Sequence, residues 1–565
     1  MTVEMQRIAQ LTPEKRLLLE MLLKKKRAAA AGGGGDGAAV TGKAEAAEAR
    51  GAAATRTVAA RPAVAPFAML NDDDRAKLPA DLEDAYPLGM AQLGMLYHMD
   101  LAPDDPTPAY HNVNSWHGRG HFDAAVFQEA VNRVVRSHPI LRTSFDLTGF
   151  SEPLQLVHRE AHLPVVVLDL RRLGDEAQRR EIHRFIELEN RRLLDLSQPP
   201  LMRFHVHLRS DETFQFTLTE PHAISDGWST TSTLAEVFEL YFRLLRGEEV
   251  PEPEPLVGSY RDFVLREREM LGSQESRAYW DRVLADCNVV RLPRWPSSYR
   301  GARGREDRKP YHLLDRELVA GLRRMADRAG VPLKSVLLAS YFKAMSLVSG
   351  LRDLNLGLVT NARPEQRDGE RLRGLFLNPL PLRVRIPDGS WIDLVRAVFE
   401  AEVEMLPYRV YPLQALQRKW GREPLFEVAF TYLNFHSVEN LLSSGDVELL
   451  DLDEATDLSV THFTLSVLFR TYPLDPMRIA LLLEYDDAEL TAGQIEAWWG
   501  YFRQILESMA AEPEASHDGR SYLTAEQSDR LARWNDTAAA PPPWATVAEW
   551  IAARAAAAPE APAVR

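Results

Sequence analysis

Between Thr213 and Glu220, Phe214, Phe216 and Leu218 alternate with polar residues, the period-2 pattern of a half-buried strand that ends near Glu220. Farther on, Leu234, Val237, Phe238, Tyr241, Phe242 and Leu245 recur at helical spacing until Gly247 stops them. Between strand and helix lies the short polar run PHAISDGWS, Pro221 to Ser229. The predicted order is therefore strand, tight turn, helix. Such a turn can hold the imidazole of His222 at a strand end, free to handle a proton, and Gly227 permits backbone angles that a side chain would forbid.

The same reading extends along the chain. Phe127, Ala130, Val131, Val134 and Val135 form the apolar face of a helix that ends in SHPILRTSF, and residues 155–157, 164–168 and 204–208 read as strands. Pro251, Pro253 and Pro255 mark a boundary between two halves. Beyond it, 310–314 reads as a strand and 313–347 as two helices broken by Gly330 and Pro332, the second apolar almost all round and hence buried. Further strands are expected at 354–360, 426–435, 463–468 and 479–485. Upstream, Thr12 and Pro13 open a helix with Leu17, Leu18, Met21 and Leu22 on one face, so residues 1–27 read as a helix and a possible docking element. Residues 28–80 are dominated at first by alanine and glycine and read as a flexible linker. The folded part is expected as two halves, 84–255 and 256–511, with 512–565 as a following linker and the start of a further domain.

Composition narrows the function classes. The 565 residues carry a formal charge of −14, which argues against non-specific nucleic-acid binding. One cysteine, Cys287, excludes an internal disulfide or a cysteine-cluster metal site. Neither a span of 18 apolar residues nor a secretory signal core is present, so the expectation is a cytoplasmic protein with no membrane contact. His111, His117 and His121, and the alternating pair His205 and His207, lack helical metal-ligand spacing; no metal is expected, and these histidines are read as solvated or as lining a tunnel.

The central turn resembles the HHxxxDG motif of the condensation domains of non-ribosomal peptide synthetases, a branch of the chloramphenicol acetyltransferase-like acyltransferases. It matches at His222, Asp226 and Gly227, with Trp228 and Ser229 also favoured, and departs at the first histidine, where Pro221 stands. Three further stretches fall in the family's order: YPLGMAQLGMLYH from Tyr86, SHPILRTSF with Arg142, and GLFLNPLPLRVRI from Gly374 with Asn378 and Arg383. The segment from Ser521 is similar to the junction leading into an adenylation domain, so 512–565 is expected to hold the truncated start of one.

The resemblance implies an α/β fold of two chloramphenicol acetyltransferase-like lobes, a V-shaped pseudo-dimer with an active-site tunnel between them. It implies amide formation between an acyl or peptidyl thioester on an upstream donor carrier protein and an aminoacyl group on a downstream acceptor carrier. Both groups ride on the phosphopantetheine arms of the carriers, and the chain itself binds no cofactor. His222 is expected to be catalytic, with Gly227 as an oxyanion donor. Asp226 is expected to be structural, paired with Arg142, while Pro221 occupies an architectural position. Trp228, Ser229, Asn378 and Arg383 are expected along the tunnel. A polyketide or other non-standard donor suits the YPLGMAQLGMLYH opening. Two alternatives remain: a non-catalytic docking platform of the same fold, and an epimerase.

Overall fold

The computed structural model describes residues 64–562 except 102–107, 296–309, 367, 422–423, 435–436, 438, 451–455, 458–462, 473, 541–542 and 544. The expected N-terminal helix, and the expected linker as far as residue 63, lie outside the described residues. Residues 519–565 form a unit of their own, with α-helices Ala525–Asn535 and Val547–Ala557. The described residues before it belong to one larger unit.

In the first half, strands β2 (His111–Arg119), β5 (Val165–Asp169), β6 (Arg203–Leu208) and β7 (Thr213–Pro221) lie in the order β2-β7-β6-β5. β7 is central and runs antiparallel to both neighbours. Its even positions Phe214, Phe216 and Leu218 join one apolar core with α2 (Ala124–Ser137) and α4 (Gly227–Leu245). There the ring of Phe127 sits 5.2 Å from Phe238 and 6.0 Å from Phe216. α1 (Met90–Leu101) lies beside the turn after β7, where the Gln92 amide donates to the Ala223 carbonyl at 2.9 Å. A smaller sheet, β1 (Leu82–Pro87), β4 (Leu154–His158) and β3 (Thr143–Asp146), flanks this half.

His205 and His207 of β6 and Gln215, Thr217 and Thr219 of β7, at odd positions, are buried too, because α3 (Asp175–Arg191) packs on that face. His205 and His207 pack on Phe185, with ring centroids 4.8 and 4.6 Å away, and are 6 % and 1 % exposed. His111 is fully buried, its Nε2 3.2 Å from the Glu189 carbonyl. These three histidines are therefore neither solvated nor tunnel-lining. Polar alternation predicts a wet face, but a sheet covered on both sides buries polar and apolar positions alike.

Residues 64–80, placed in the linker by composition, are held to the first half. The Phe67 amide donates to Asp84 at 2.8 Å, and Asp74 accepts from the Ser151 amide at 3.0 Å.

In the second half, β8 (Tyr311–Leu313), β9 (Asp353–Asn361), β10 (Leu377–Arg385), β11 (Val428–Leu433), β14 (Leu465–Tyr472) and β15 (Asp475–Tyr485) form a sheet in the order β10-β9-β11-β14-β15-β8. The helix Leu333–Ser349 packs behind it and is buried at every position from Ser335 to Met345, as its all-round apolar pattern requires. The halves are not separate beads. Strands β12 (Glu448–Leu450) and β13 (Thr456–Asp457), late in the chain, cross over and pair with β2, extending the first sheet. Among the described residues no single helix is long and apolar enough to cross a membrane.

Candidate active site

β7 ends at Pro221, which pairs with His111, and the His222 amide continues the ladder by donating to the Tyr110 carbonyl at 2.8 Å. One 3-10 turn, His222–Ile224, then reverses the chain before α4 begins at Gly227. The turn fixes the imidazole. His222 Nδ1 lies 2.6 Å from the Ser225 carbonyl oxygen. A carbonyl only accepts, so Nδ1 carries the hydrogen and, in the neutral ring, Nε2 presents the lone pair. The half-buried ring has the Tyr110 ring edge-on at 6.3 Å. Gly227 opens α4, and its amide is one of the first-turn donors for which a helix supplies no acceptor.

Asp226 caps α4, accepting from the Ser229 amide at 2.7 Å. The cation that it meets is not the expected Arg142. The Arg363 guanidinium, from the second half, donates to Asp226 Oδ1 at 2.9 Å and Oδ2 at 3.2 Å, and both side chains are buried. Burial pulls the Arg363 pKa down from its usual range, and the carboxylate of Asp226 opposes that shift. The Phe376 amide adds a fourth donor contact to the Asp226 carboxylate at 3.1 Å. Arg142 instead ties the end of α2 to β4 and β1. It donates to the Val135 and His158 carbonyls and pairs with Glu83 at 2.7 Å.

Ser229 is 1 % exposed and does not line a passage. Its hydroxyl donates to the Gly374 carbonyl at 2.9 Å and accepts from the Gly374 amide and from Arg363. The Asp226 amide also reaches the Gly374 carbonyl, at 3.2 Å. This close approach requires glycine: φ at Gly374 is +153°, and an added Cβ would lie 2.3 Å from the Tyr260 ring. Trp228, half-buried, donates its indole N–H to the Glu370 carbonyl at 3.1 Å. The turn and the start of α4 are thus fastened to residues 363–376 of the second half.

Asn378 and Arg383 take packing roles. The Asn378 amide donates to the Arg409 and Tyr411 carbonyls, both at 2.8 Å, and its oxygen accepts from the Leu413 amide at 3.3 Å. Arg383, at the far end of β10, pairs with Asp353 at 2.9 Å and donates to the Val283 and Ala285 carbonyls. A cavity of about 690 Å³ opens elsewhere, bordered by Glu83, His138 and Arg142 of the first half and by Arg261 and Arg371 of the second, and not by His222. Among the described residues no group of three or more His, Cys, Asp or Glu is placed to hold a metal.

The family model described as "Condensation domain" matches residues 82–532. The chain belongs to the condensation-domain family. Among curated proteins it is 31 % identical over 460 residues to the AMB antimetabolite synthetase AmbE of Pseudomonas aeruginosa, covering 79 % of this chain and 20 % of that protein. It is 28 % identical over 488 residues to the chondramide synthase cmdD of Chondromyces crocatus, covering 82 % of this chain and 12 % of that one. The chain thus spans a fifth or less of the length of these relatives. Two solved structures show the same fold, each at 20 % identity. One is the first condensation domain of the calcium-dependent antibiotic synthetase in complex with a substrate analogue, with TM-score 0.63 over 78 % of this chain and all of that one. The other is the condensation domain from the monacolin K polyketide synthase MokA, with TM-score 0.64 over 77 % and 99 %. The two-lobed chloramphenicol acetyltransferase-like α/β fold follows, in a family of acyltransferases of peptide synthetases.

Arg363, Gly374 and Glu220 are site residues that sequence patterns do not single out. Arg363 stands 137 residues from its partner in a stretch with no periodic signal. Gly374 opens the GLFLNPLPLRVRI stretch, and an isolated glycine before an apolar run is the available hint of a close backbone approach. Glu220, in the sequence, marks only the end of a strand.

Proposed function

We propose that this condensation domain forms an amide bond between a carrier-tethered acyl or peptidyl thioester and the amine of a carrier-tethered aminoacyl acceptor. The observation that carries this reading is the His222 Nδ1 contact with the Ser225 carbonyl, which sets the lone pair of the neutral ring on Nε2 and holds it at the strand end. The acceptor amine attacks the thioester carbonyl carbon, a C–N bond forms, and the thiolate of the donor arm leaves. Nε2 receives or steers the proton that the amine must lose, a contribution of about 10²–10⁴-fold. The Gly227 amide, at the positive end of α4, stands as donor to the developing oxyanion. Both phosphopantetheine arms come with upstream and downstream carrier proteins, and holding their ends in register supplies several kcal/mol more. An adjacent adenylation domain would load the acceptor carrier.

The test is turnover with both carriers loaded. His222→Ala and His222→Gln are expected to abolish product while circular dichroism and melting temperature stay at wild-type values. Near-normal product from the alanine variant would take His222 out of the reaction, and no product from the wild-type chain would leave the docking platform in its place.

A further inference from the structure

Glu220 is the penultimate residue of β7, two positions before His222. It is fully buried against the first turns of α4. The Thr230 hydroxyl donates to Glu220 Oε1, which commits the single hydroxyl hydrogen of that threonine. The Ser225 hydroxyl, 2.8 Å from Thr230 Oγ1 and 3.3 Å from the Asp226 carbonyl, shares its one hydrogen between these two acceptors. Ser225 is in turn joined to His222 by two backbone contacts: its amide donates to the His222 carbonyl at 3.3 Å, and its carbonyl accepts from Nδ1 at 2.6 Å. A continuous polar relay runs from Glu220 through Thr230 and Ser225 to the imidazole. Among the described residues Glu220 Oε2 has no hydrogen-bond partner.

An apolar side chain would fill this site without that burden, since burying a carboxyl with one oxygen unmatched is unfavourable. Burial pushes the Glu220 pKa up to about 7; the Thr230 hydroxyl opposes the rise and the charge of Asp226 adds to it. What the carboxyl contributes is a fixed acceptor for Thr230. We propose that Glu220 is a positioning residue for His222, acting through the Thr230 and Ser225 hydroxyls on the carbonyl that fixes the imidazole. The inference rests on the catalytic reading of His222.

The test uses the full chain labelled with ¹⁵N-histidine, with the His222 signals assigned by their loss in His222→Gln. The wild-type ring is expected as the Nδ1–H tautomer. Thr230→Val, nearly isosteric, and Glu220→Leu are each expected to populate the Nε2–H tautomer. They should lower kcat by about ten- to a hundredfold at unchanged KM, and Thr230→Ser should restore both readouts. The double variant Glu220→Leu/Thr230→Val should be no slower than the worse single one, since both break the same relay. Wild-type ¹⁵N signals for His222 in Thr230→Val, or failure of Thr230→Ser to restore them, would overturn the proposal. The tautomer readout needs no turnover. A chain that forms no amide would therefore refute the function and still decide the role of Glu220.

Discussion

Arg142 and Arg363 are both nearly buried, at 4 % and 7 % exposure, and both stand near a buried helix end, yet they fasten different things. Arg142 is tied within its own half: it donates to the carbonyls of Val135, Arg136, His158 and Arg159, and its carboxylate partner Glu83 is 44 % exposed. Arg363 crosses from the second half to Asp226, a carboxylate at 1 % exposure, and its guanidinium lies 4.3 Å over the Phe376 ring. A cation shared with a wet carboxylate stabilises a fold locally. A cation shared with a dry one at the turn that carries His222 couples the direction of the imidazole to the docking of the halves.

The largest effect should come from breaking the dry pair. Arg363→Ala leaves the Asp226 charge buried without a cation and is expected to cost about 3–5 kcal/mol. Asp226→Ala should match it. Because the turn loosens, the activity of the molecules that remain folded should fall as well. Arg142→Ala is expected to cost about 1–3 kcal/mol through its lost carbonyl contacts, since Glu83 stays solvated, while kcat per folded molecule stays near wild type. Urea unfolding together with turnover normalised to folded protein checks the ordering. Equal losses of kcat in the two arginine variants would break the distinction.

The buried histidines sharpen the contrast by removing the carboxylate altogether. Both ring nitrogens of His207 are buried and unpartnered among the described residues. Burial, helped by neighbouring His205, depresses its pKa from 6.5 to about 4. The folded value lies below the unfolded one, so between pH 6.5 and 4 the unfolded chain binds more protons. Stability is then full above about pH 6.5, declines as pH falls toward 4, and loses roughly 3 kcal/mol in all. Burial lowers the pKa of His205 in the same sense. His207→Leu is expected to flatten the acid limb of a melting-temperature profile and leave the profile above pH 7 unchanged. An unchanged acid limb would show that the strain is carried elsewhere.

These contrasts also explain what is legible in the sequence. The change of period from 2 to 3.6 across Pro221 to Gly227 marks β7, the turn and α4, because both elements bury one apolar face in the same core. The Asp226 partner is not legible. An arginine after a strand looks the same whether it meets water or a carboxylate 137 residues away, and the nearer candidate, Arg142, is satisfied by carbonyls that leave no pattern. Asn378 and Arg383 stand out by motif, but a motif gives a position without a direction. Asn378 turns toward the 409–413 segment and Arg383 toward Asp353. His205 and His207 look solvated in the sequence because alternation reports a change of polarity and not which face a helix such as α3 covers.

The smallest effect is expected at Pro221, where the turn has one tied side and one open side. The His222 amide donates toward β2, and strand amides alternate in direction, so the amide position of residue 221 faces the β6 side. There the ladder already ends with Arg203 opposite Thr219. A proline at that position therefore deletes no bond that the sheet makes. Its φ of −74° and ψ of 134° are ordinary extended values that a histidine adopts without strain. Pro221→His, which restores the first residue of the HHxxxDG pattern, is accordingly expected to change stability by less than about 1 kcal/mol and to leave kcat close to wild type. Thermal unfolding and turnover with loaded carriers measure both. A loss comparable to that of Arg363→Ala would mean that the open side is also fastened, and that the turn holding His222 depends on the rigidity of the proline ring.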